Sequence, residues 1–316
     1  IAECEFHHTT QTGFTSSDYG PNDGAAIIGN RVYDKNTVDE ENEEHIFRLQ
    51  SGSRYFIAHN TFGPNITVNY DALTIRGNTQ KVVIYKNTMY GHVQSFRPQN
   101  KNSAAEYVHH CIMDSNLIMG VPDAQQVAVE VVAKDLVFRN NILYDYQCGI
   151  GIGDDTVVGP SQRIKIYNNT FINPTADSAF NPVYADEACR NIDIKNNVML
   201  DLAGSDPEYT SFLNVRGGTV LYGESDNNIF YSGTWNAGHG LFCGYGLEEW
   251  QISTGNDSNS LFADPGLSST NYNDVNFCIP LSGSHVINAG AFTPAALDYY
   301  GNFRDNSRDI GACEFL

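Results

Sequence analysis

An asparagine that returns along the chain in a fixed apolar setting constrains this sequence more than any other feature. Around Asn87 the apolar residues stand five and three places before it, Val82 and Ile84, and two places after it, Met89. The register holds around Asn60 (Tyr55, Ile57, Phe62), Asn116 (Cys111, Met113, Ile118), Asn141 (Leu136, Phe138, Leu143), Asn169 (Ile164, Ile166, Phe171) and Asn197 (Ile192, Ile194, Met199). Asn30 fits with Ala25, Ile27 and Val32, Asn228 keeps only Phe230, and Cys4 takes the Asn place between Ile1 and Phe6. Differences between neighbouring Asn numbers from 30 to 228 are 30, 27, 29, 25, 28, 28 and 31. Repeat length wanders while the pattern inside each repeat holds, which is the mark of a solenoid. Alternating Val, Ile, Phe and Tyr make the units strands rather than helices. Such a repeat holds about three short strands at roughly 3.3 Å per residue, with turns between them. The Asn is expected at the turn, in a place that tolerates left-handed backbone, with its amide bonding the next coil's Asn in a ladder. The expected fold is all-β, a parallel β-helix.

Charge narrows the partners. The formal net charge is -19 although only 17% of residues are charged, which disfavours a nucleic-acid partner, and none is expected. An acidic polymer would have to be met by a local cluster of Arg and Lys or by bound cations. No apolar run approaches membrane-span length, so no membrane span is expected. Seven Cys at 4, 111, 148, 189, 243, 278 and 313, none in a CxxC pair, read as buried interior residues rather than as a zinc site. The chain opens inside a coil without Met, which fits either a processed start, as after removal of a signal peptide, or an incomplete one.

The acidic excursion VDEENEEH lies early in the chain, and a longer insertion, RPQNKNSAAEY, follows Arg97. From about residue 231 the register fades into Gly-rich sequence. Two continuous parts are expected: a β-helix over 1–265 and, over 266–316, a cap covering the exposed end.

The VxIxNNxF-like units, LFADPGL (261–267), SGSHVINAGAF (282–292) and DYYGNFRDNSRDIGACEF (298–315) resemble right-handed parallel β-helix proteins of the pectate-lyase-like superfamily. Its members include lyases, glycoside hydrolases, epimerases, tailspikes and adhesins, so the resemblance implies a fold before it implies an activity. It also implies an extracellular or periplasmic location and a groove along one face for an extended polymer. DALTIRGN resembles the arginine-bearing strand of the alginate lyase and chondroitinase B family, which makes Arg76 the counterpart of a catalytic arginine. Where that family has a Lys in the preceding coil, this chain has Gln50, with Arg48 two residues away.

The segments before each Asn unit supply the candidate site: HIFRLQSGS, DALTIRGNT, AVEVVAKD, GIGIGDDT, NPVYADEA and FLNVRGGT. Elimination from a uronate needs its carboxylate neutralised and a base for the α-proton. Arg76, Arg48 and Lys134 are the catalytic candidates, and Arg97, Gln50, Glu130 and Arg216 the substrate-binding ones. Asp154, Asp155 and Asp186 supply the hard oxygens that Ca²⁺ prefers, or else form an acidic turn. No organic cofactor is expected. GDD (153–155), RIK (163–165) and GHG (238–240) are similar to short polygalacturonase motifs, but in a different order. His109 and His110 stand at a strand entrance beside Cys111, and Tyr107, Tyr184, Trp235 and Trp250 are candidates for stacking on sugars. The leading expectation is a secreted lyase of an acidic polysaccharide. The alternative is a non-catalytic glycan-binding or adhesin-like solenoid.

Overall fold

The computed structural model describes residues 1–7, 14–15, 23–33, 45–63, 71–90, 94–97, 107–120, 127–155, 159–175, 179–206, 208, 210–215 and 223–315. The recurring register becomes a parallel β-solenoid. A sheet of ten short strands runs Glu5–His7, Arg31–Tyr33, Thr61–Phe62, Thr88–Tyr90, Leu117–Met119, Ile142–Tyr144, Thr170–Asn173, Val198–Asp201, Ile229–Ser232 and Leu261–Phe262, each bonded in parallel to the next coil. A larger sheet carries the longer strands, among them His45–Ala58, Asp71–Tyr85, Val108–Asp114, Ala133–Arg139, Gln162–Tyr167 and Arg190–Lys195.

Like residues stack on like along the axis. Ile57, Ile84, Met113, Phe138, Ile166 and Ile194 are register partners in succession and all but fully buried. Phe62, Met89, Ile118, Leu143, Phe171, Met199, Phe230 and Phe262 form a second stack on the short strands. Each such side chain contributes about 1.5–3 kcal/mol by leaving water, which is why the interior pattern survives while repeat length varies.

The asparagines between the stacks form the expected ladder. The backbone N–H of each donates to the side-chain oxygen of the next, from Cys4 to Asn30 at one end to Asn197 and Asn228 at the other. Each side-chain amide from Asn60 onward also donates to a carbonyl of the preceding coil, such as Asn116 to Ile84 at 3.0 Å and Asn141 to Met113 at 2.9 Å. Left-handed backbone falls one residue earlier than expected. His59, Lys86, Ser115, Asn140, Asn168, Asn196 and Asn227 have φ between 49 and 57°. That residue turns the corner, and the ladder Asn after it is left free to bond along the axis. The ladder also runs one coil beyond the sequence pattern, because Asn228 N–H donates to Ser260 Oγ at 2.8 Å.

Residues 266–316 were expected over the open end, but the described part of this tail lies along the outer flank of the short-strand sheet. Leu117, Met119, Ile142, Ile172, Val198 and Leu200 bury their outward side against Phe277, Cys278, Val286, Ile310, Ala312 and Cys313 of the tail. Short strands that are apolar on both faces need a cover on each, and the tail supplies the outer one. At the end of the coils, Leu241, Phe242, Leu247 and Trp250 continue the interior core, with the last two on the helix Leu247–Thr254.

Tail docking uses the left-handed corner. Asn140 donates to Leu297 O at 2.9 Å, Thr293 donates to Asn168 Oδ1 at 2.6 Å, Asn196 pairs with both N–H and C=O of Ala291, and Asn227 donates to Ala289 O at 3.0 Å. Arg304, with its side chain fully buried, ties the tail to itself and to the coils by donating to Glu314, to Asn140 Oδ1 and to the carbonyls of Asp309, Gly311 and Ala312.

Candidate functional site

The candidate residues fall into rows because parallel register places equivalent positions side by side. Arg48, Thr74, Ser95, Glu130, Gly151, Tyr184 and Asn214 are successive partners. Two residues further along the strands, Gln50 pairs with Arg76 and Arg76 with Arg97. Backbone hydrogen bonds extend this second row: Val132 N–H donates to Phe96 O, Gly153 N–H to Val131 O and Asp186 N–H to Ile152 O. Alternation with buried Phe47, Leu49, Leu73, Ile75, Val129 and Val131 turns both rows away from the core.

Arg48 and Arg76 thus lie on one side of adjacent coils, one in each row, and both are half-buried. Gln50 and Thr74, beside them, are buried. The backbone of Arg97 continues the row of Arg76, and its side chain lies outside the described residues, as do the side chains of Asp154 and Asp155. Arg216 lies outside the described residues altogether. Asp154–Asp155 forms an antiparallel pair with Gly159–Pro160.

Lys134 belongs to a third row, with Gln80, His109, Gln162 and Arg190, past the irregularity between Gln50 and Gly52 that bends the long strands. Its ammonium stands 3.6 Å from the centre of the Tyr107 ring. Tyr107 packs against Val132 of the second row, so Lys134 is joined to the arginine rows through an aromatic and an aliphatic side chain. A cation over a ring face in this way is attracted by the ring's negative face and held in place.

Glu130 stands in the first row next to Gly151. Burial, with the Glu130 charge second, pushes the nearby Cys148 thiol up to about 12, which rules out a ready thiolate there. Beyond the glycines, Tyr184 donates its phenol to Asp186 Oδ1 at 2.9 Å. Gly151 and Gly153 leave the floor bare of side chains between Glu130 and this pair. An added Cβ at Gly153 would lie 3.5 Å from both Asp186 Oδ2 and Val132. The sequence marks Tyr107 only as a candidate sugar-stacking ring and gives no weight to Val132; the contact between them is what links Lys134 to the arginine rows.

His109 and His110 hold their Nδ1 atoms 2.5 Å apart at the strand entrance, and burial followed by the neighbouring imidazole lowers the His109 pKa. Among the described residues, no group of three or more His, Cys, Asp and Glu is placed to hold a metal ion. No helix among them is long and apolar enough to cross a membrane.

No protein-family model matches the chain, and no curated protein matches it. The fold defines a class, that of parallel β-solenoids, an architecture consistent with carbohydrate-active and adhesin-like proteins alike.

Proposed function

We propose that the protein cleaves an extended, uronate-containing polysaccharide by β-elimination along the rows of Arg48 and Arg76. The observation that carries this reading is the placement of those two arginines on the same side of adjacent coils, with the Arg97 backbone next in register. Coils stacked about 4.8 Å apart offer successive cations to successive sugar units of a polymer laid along the axis. A net charge of -19 makes a local cationic patch a selective place for an acidic chain.

Arg76 would grip the uronate carboxylate bidentately and draw charge from it, which acidifies the α-proton. Arg48, one coil earlier, is the candidate to hold the neighbouring carboxylate. As a base it would act only from its neutral form, taking the α-proton as the C4–C5 double bond forms and the C4–O bond breaks, and passing a proton to the glycosidic oxygen, which departs as an alcohol. Lys134, held over the Tyr107 ring, is the further candidate for a carboxylate contact or for the base. Gln50 and Glu130 would hydrogen-bond sugar hydroxyls, and Arg216 is retained as a substrate-binding candidate from the sequence alone. Ca²⁺ held by Asp186 with Asp154 and Asp155 would neutralise a further carboxylate, since paired carboxylates are the oxygen donors that ion prefers. Such polymers lie outside cells, so the reading carries export of the protein with it.

The test is the ultraviolet absorbance of the unsaturated uronate, followed on alginate, pectate, chondroitin and ulvan with and without Ca²⁺. A rise on one polymer that vanishes in Arg76→Ala supports elimination and names the substrate. Absence of any rise, with the polymer still retained by the immobilised protein, turns the reading to a glycan-binding solenoid.

A further inference from the structure

The left-handed corner residues raise a question that the arginine rows do not answer. In four coils the corner is Asn140, Asn168, Asn196 or Asn227, and each engages the tail with its amide. In the three coils before them the corner is His59, Lys86 or Ser115. The tail does not close over these three. A cleft of about 280 Å³ opens there between coils and tail, lined by His59, Lys86, Thr88, Ser115, Tyr299 and Tyr300, with the ladder residue Asn87 at its back.

The chemistry of the walls is specific. Lys86 reaches Tyr300 O at 3.4 Å and stands 5.6 Å from the centre of the Tyr85 ring, and among the described residues no carboxylate pairs with it. In a chain this acidic, a lysine in a cleft without an acidic partner offers its charge to an incoming anion. Ser115 donates its own hydroxyl proton to Asp114, whose carboxylate is in turn held by Arg139, so the Ser115 lone pairs are left to accept from a ligand hydroxyl. Thr88 adds a second hydroxyl, and His59, edge-on to Tyr85, a ring nitrogen. Tyr300 donates its phenol to Phe277 O at 2.7 Å and meets Tyr299 edge to face at 5.1 Å, which fixes an aromatic wall whose remaining face is apolar. Gly301 keeps the cleft open, since a Cβ there would lie 3.3 Å from the Lys86 ammonium.

One cation, hydroxyl acceptors and a rigid ring wall in a volume of this size match a single sugar carrying a carboxylate. We infer that the cleft between the tail and the coils of His59, Lys86 and Ser115 binds a hexuronate residue, with its carboxylate on Lys86 and one face on the tyrosines. The site is separate from the arginine rows. Arg76 and Lys86 share the strand and turn around Asp71–Tyr85, but the buried residues Val82 and Ile84 lie between them. The cleft rests on its own residues, and only the ligand class is shared with the proposed reaction.

Calorimetric titration with sodium glucuronate and galacturonate, with glucose and acetate as counterparts, tests this on the whole chain. One of the two uronates is expected to bind saturably, and glucose and acetate at least about tenfold more weakly. In an Arg76→Ala background, which removes the proposed uronate contact of the arginine rows, binding should persist, and adding Lys86→Gln should abolish it whereas adding Lys86→Arg should not. Equal uronate binding with and without Lys86→Gln in that background, or no binding to the wild-type chain, overturns the site. Loss in Arg76→Ala instead moves the uronate to the arginine rows. Acetate binding as tightly as the uronates overturns the assignment to a sugar. Failure of the elimination assay leaves each of these readings intact.

Discussion

Asn116 donates to a single oxygen of Asn141 twice, from its backbone N–H at 3.0 Å and from its side-chain amide at 2.9 Å. Asn141 repeats the arrangement onto Asn169 and sends its amide back to Met113 O. Both residues are buried. Asn141→Ala therefore strands two donors of Asn116 and one carbonyl where water does not reach, at about 1–3 kcal/mol per group. A loss of at least about 3 kcal/mol in urea unfolding is expected. Asn30→Ala, at the margin of the ladder, should cost less than Asn141→Ala in the same measurement.

Arg304→Met should free the tail while sparing the coils. The substitution keeps volume but removes the donor shared by Glu314, Asn140 and three carbonyls, and breaking one side of a buried ion pair costs about 3–5 kcal/mol. Hydrogen exchange is the measurement. The amides of Tyr299, Ile310 and Ala312, which bond Ala312 O, Val286 O and Thr170 Oγ1, should lose protection, whereas those of Ile194 and Ile229 should keep it.

The tail should also hold more tightly in mild acid. Burial raises the Glu314 pKa from 4.5 to about 7, against the opposing pull of Arg304. A carboxyl whose pKa is higher folded than unfolded contributes stability that is full below the unfolded value and is lost as pH rises through the folded one. The window is therefore about 4.5 to 7, and Oε1 keeps its bonds from Arg304 and Asp309 N–H while Oε2 carries the proton. Protection of the tail amides should fall between pH 5 and pH 8, values spanning that window on the approximate scale of reference carboxyls, and Glu314→Gln should flatten the dependence.

If acidic polymer binds the arginine rows, its affinity should weaken steeply with salt, because contacts between a cationic row and an anionic chain are screened over about 8–10 Å at physiological ionic strength. Arg48→Ala and Arg76→Ala should each lower retention on the polymer by roughly tenfold, the loss of one charge-assisted pair. Chelation of Ca²⁺ should lower activity further only if Asp186 takes part, so Asp186→Asn should remove the response to chelator.

The coil interior was legible in the sequence because a solenoid repeats its requirements. Ile57, Ile84, Met113, Phe138, Ile166 and Ile194 are apolar at one register position, and they stack as that register implies. The corner was misplaced by one residue because Asn-Asn pairs such as 168–169 and 196–197 offer two residues that tolerate left-handed backbone. Ser260 escaped notice because a hydroxyl, not an amide, ends the ladder. The lateral docking of the tail was foreshadowed by Leu117, Met119 and Leu200, apolar on the outward side of strands that are already apolar inward. For the candidate site the individual charges were visible but their alignment was not. Loops of unequal length hide the fact that Glu130 lies level with Arg48 rather than with Arg76, and pairing alone resolves it.

Coils in a solenoid ordinarily feel only their immediate neighbours and can melt one at a time from either end. Here the tail bonds Asn227, Asn196, Asn168 and Asn140 and reaches Lys86, so it splints coils that do not touch one another. Everything from Lys86 to Asn227 is bound into one cooperative block, while the coils around Asn30 and Asn60 stand outside the splint. Heat or force should thus open the coils around Asn30 and Asn60 separately from the splinted block, which opens all at once.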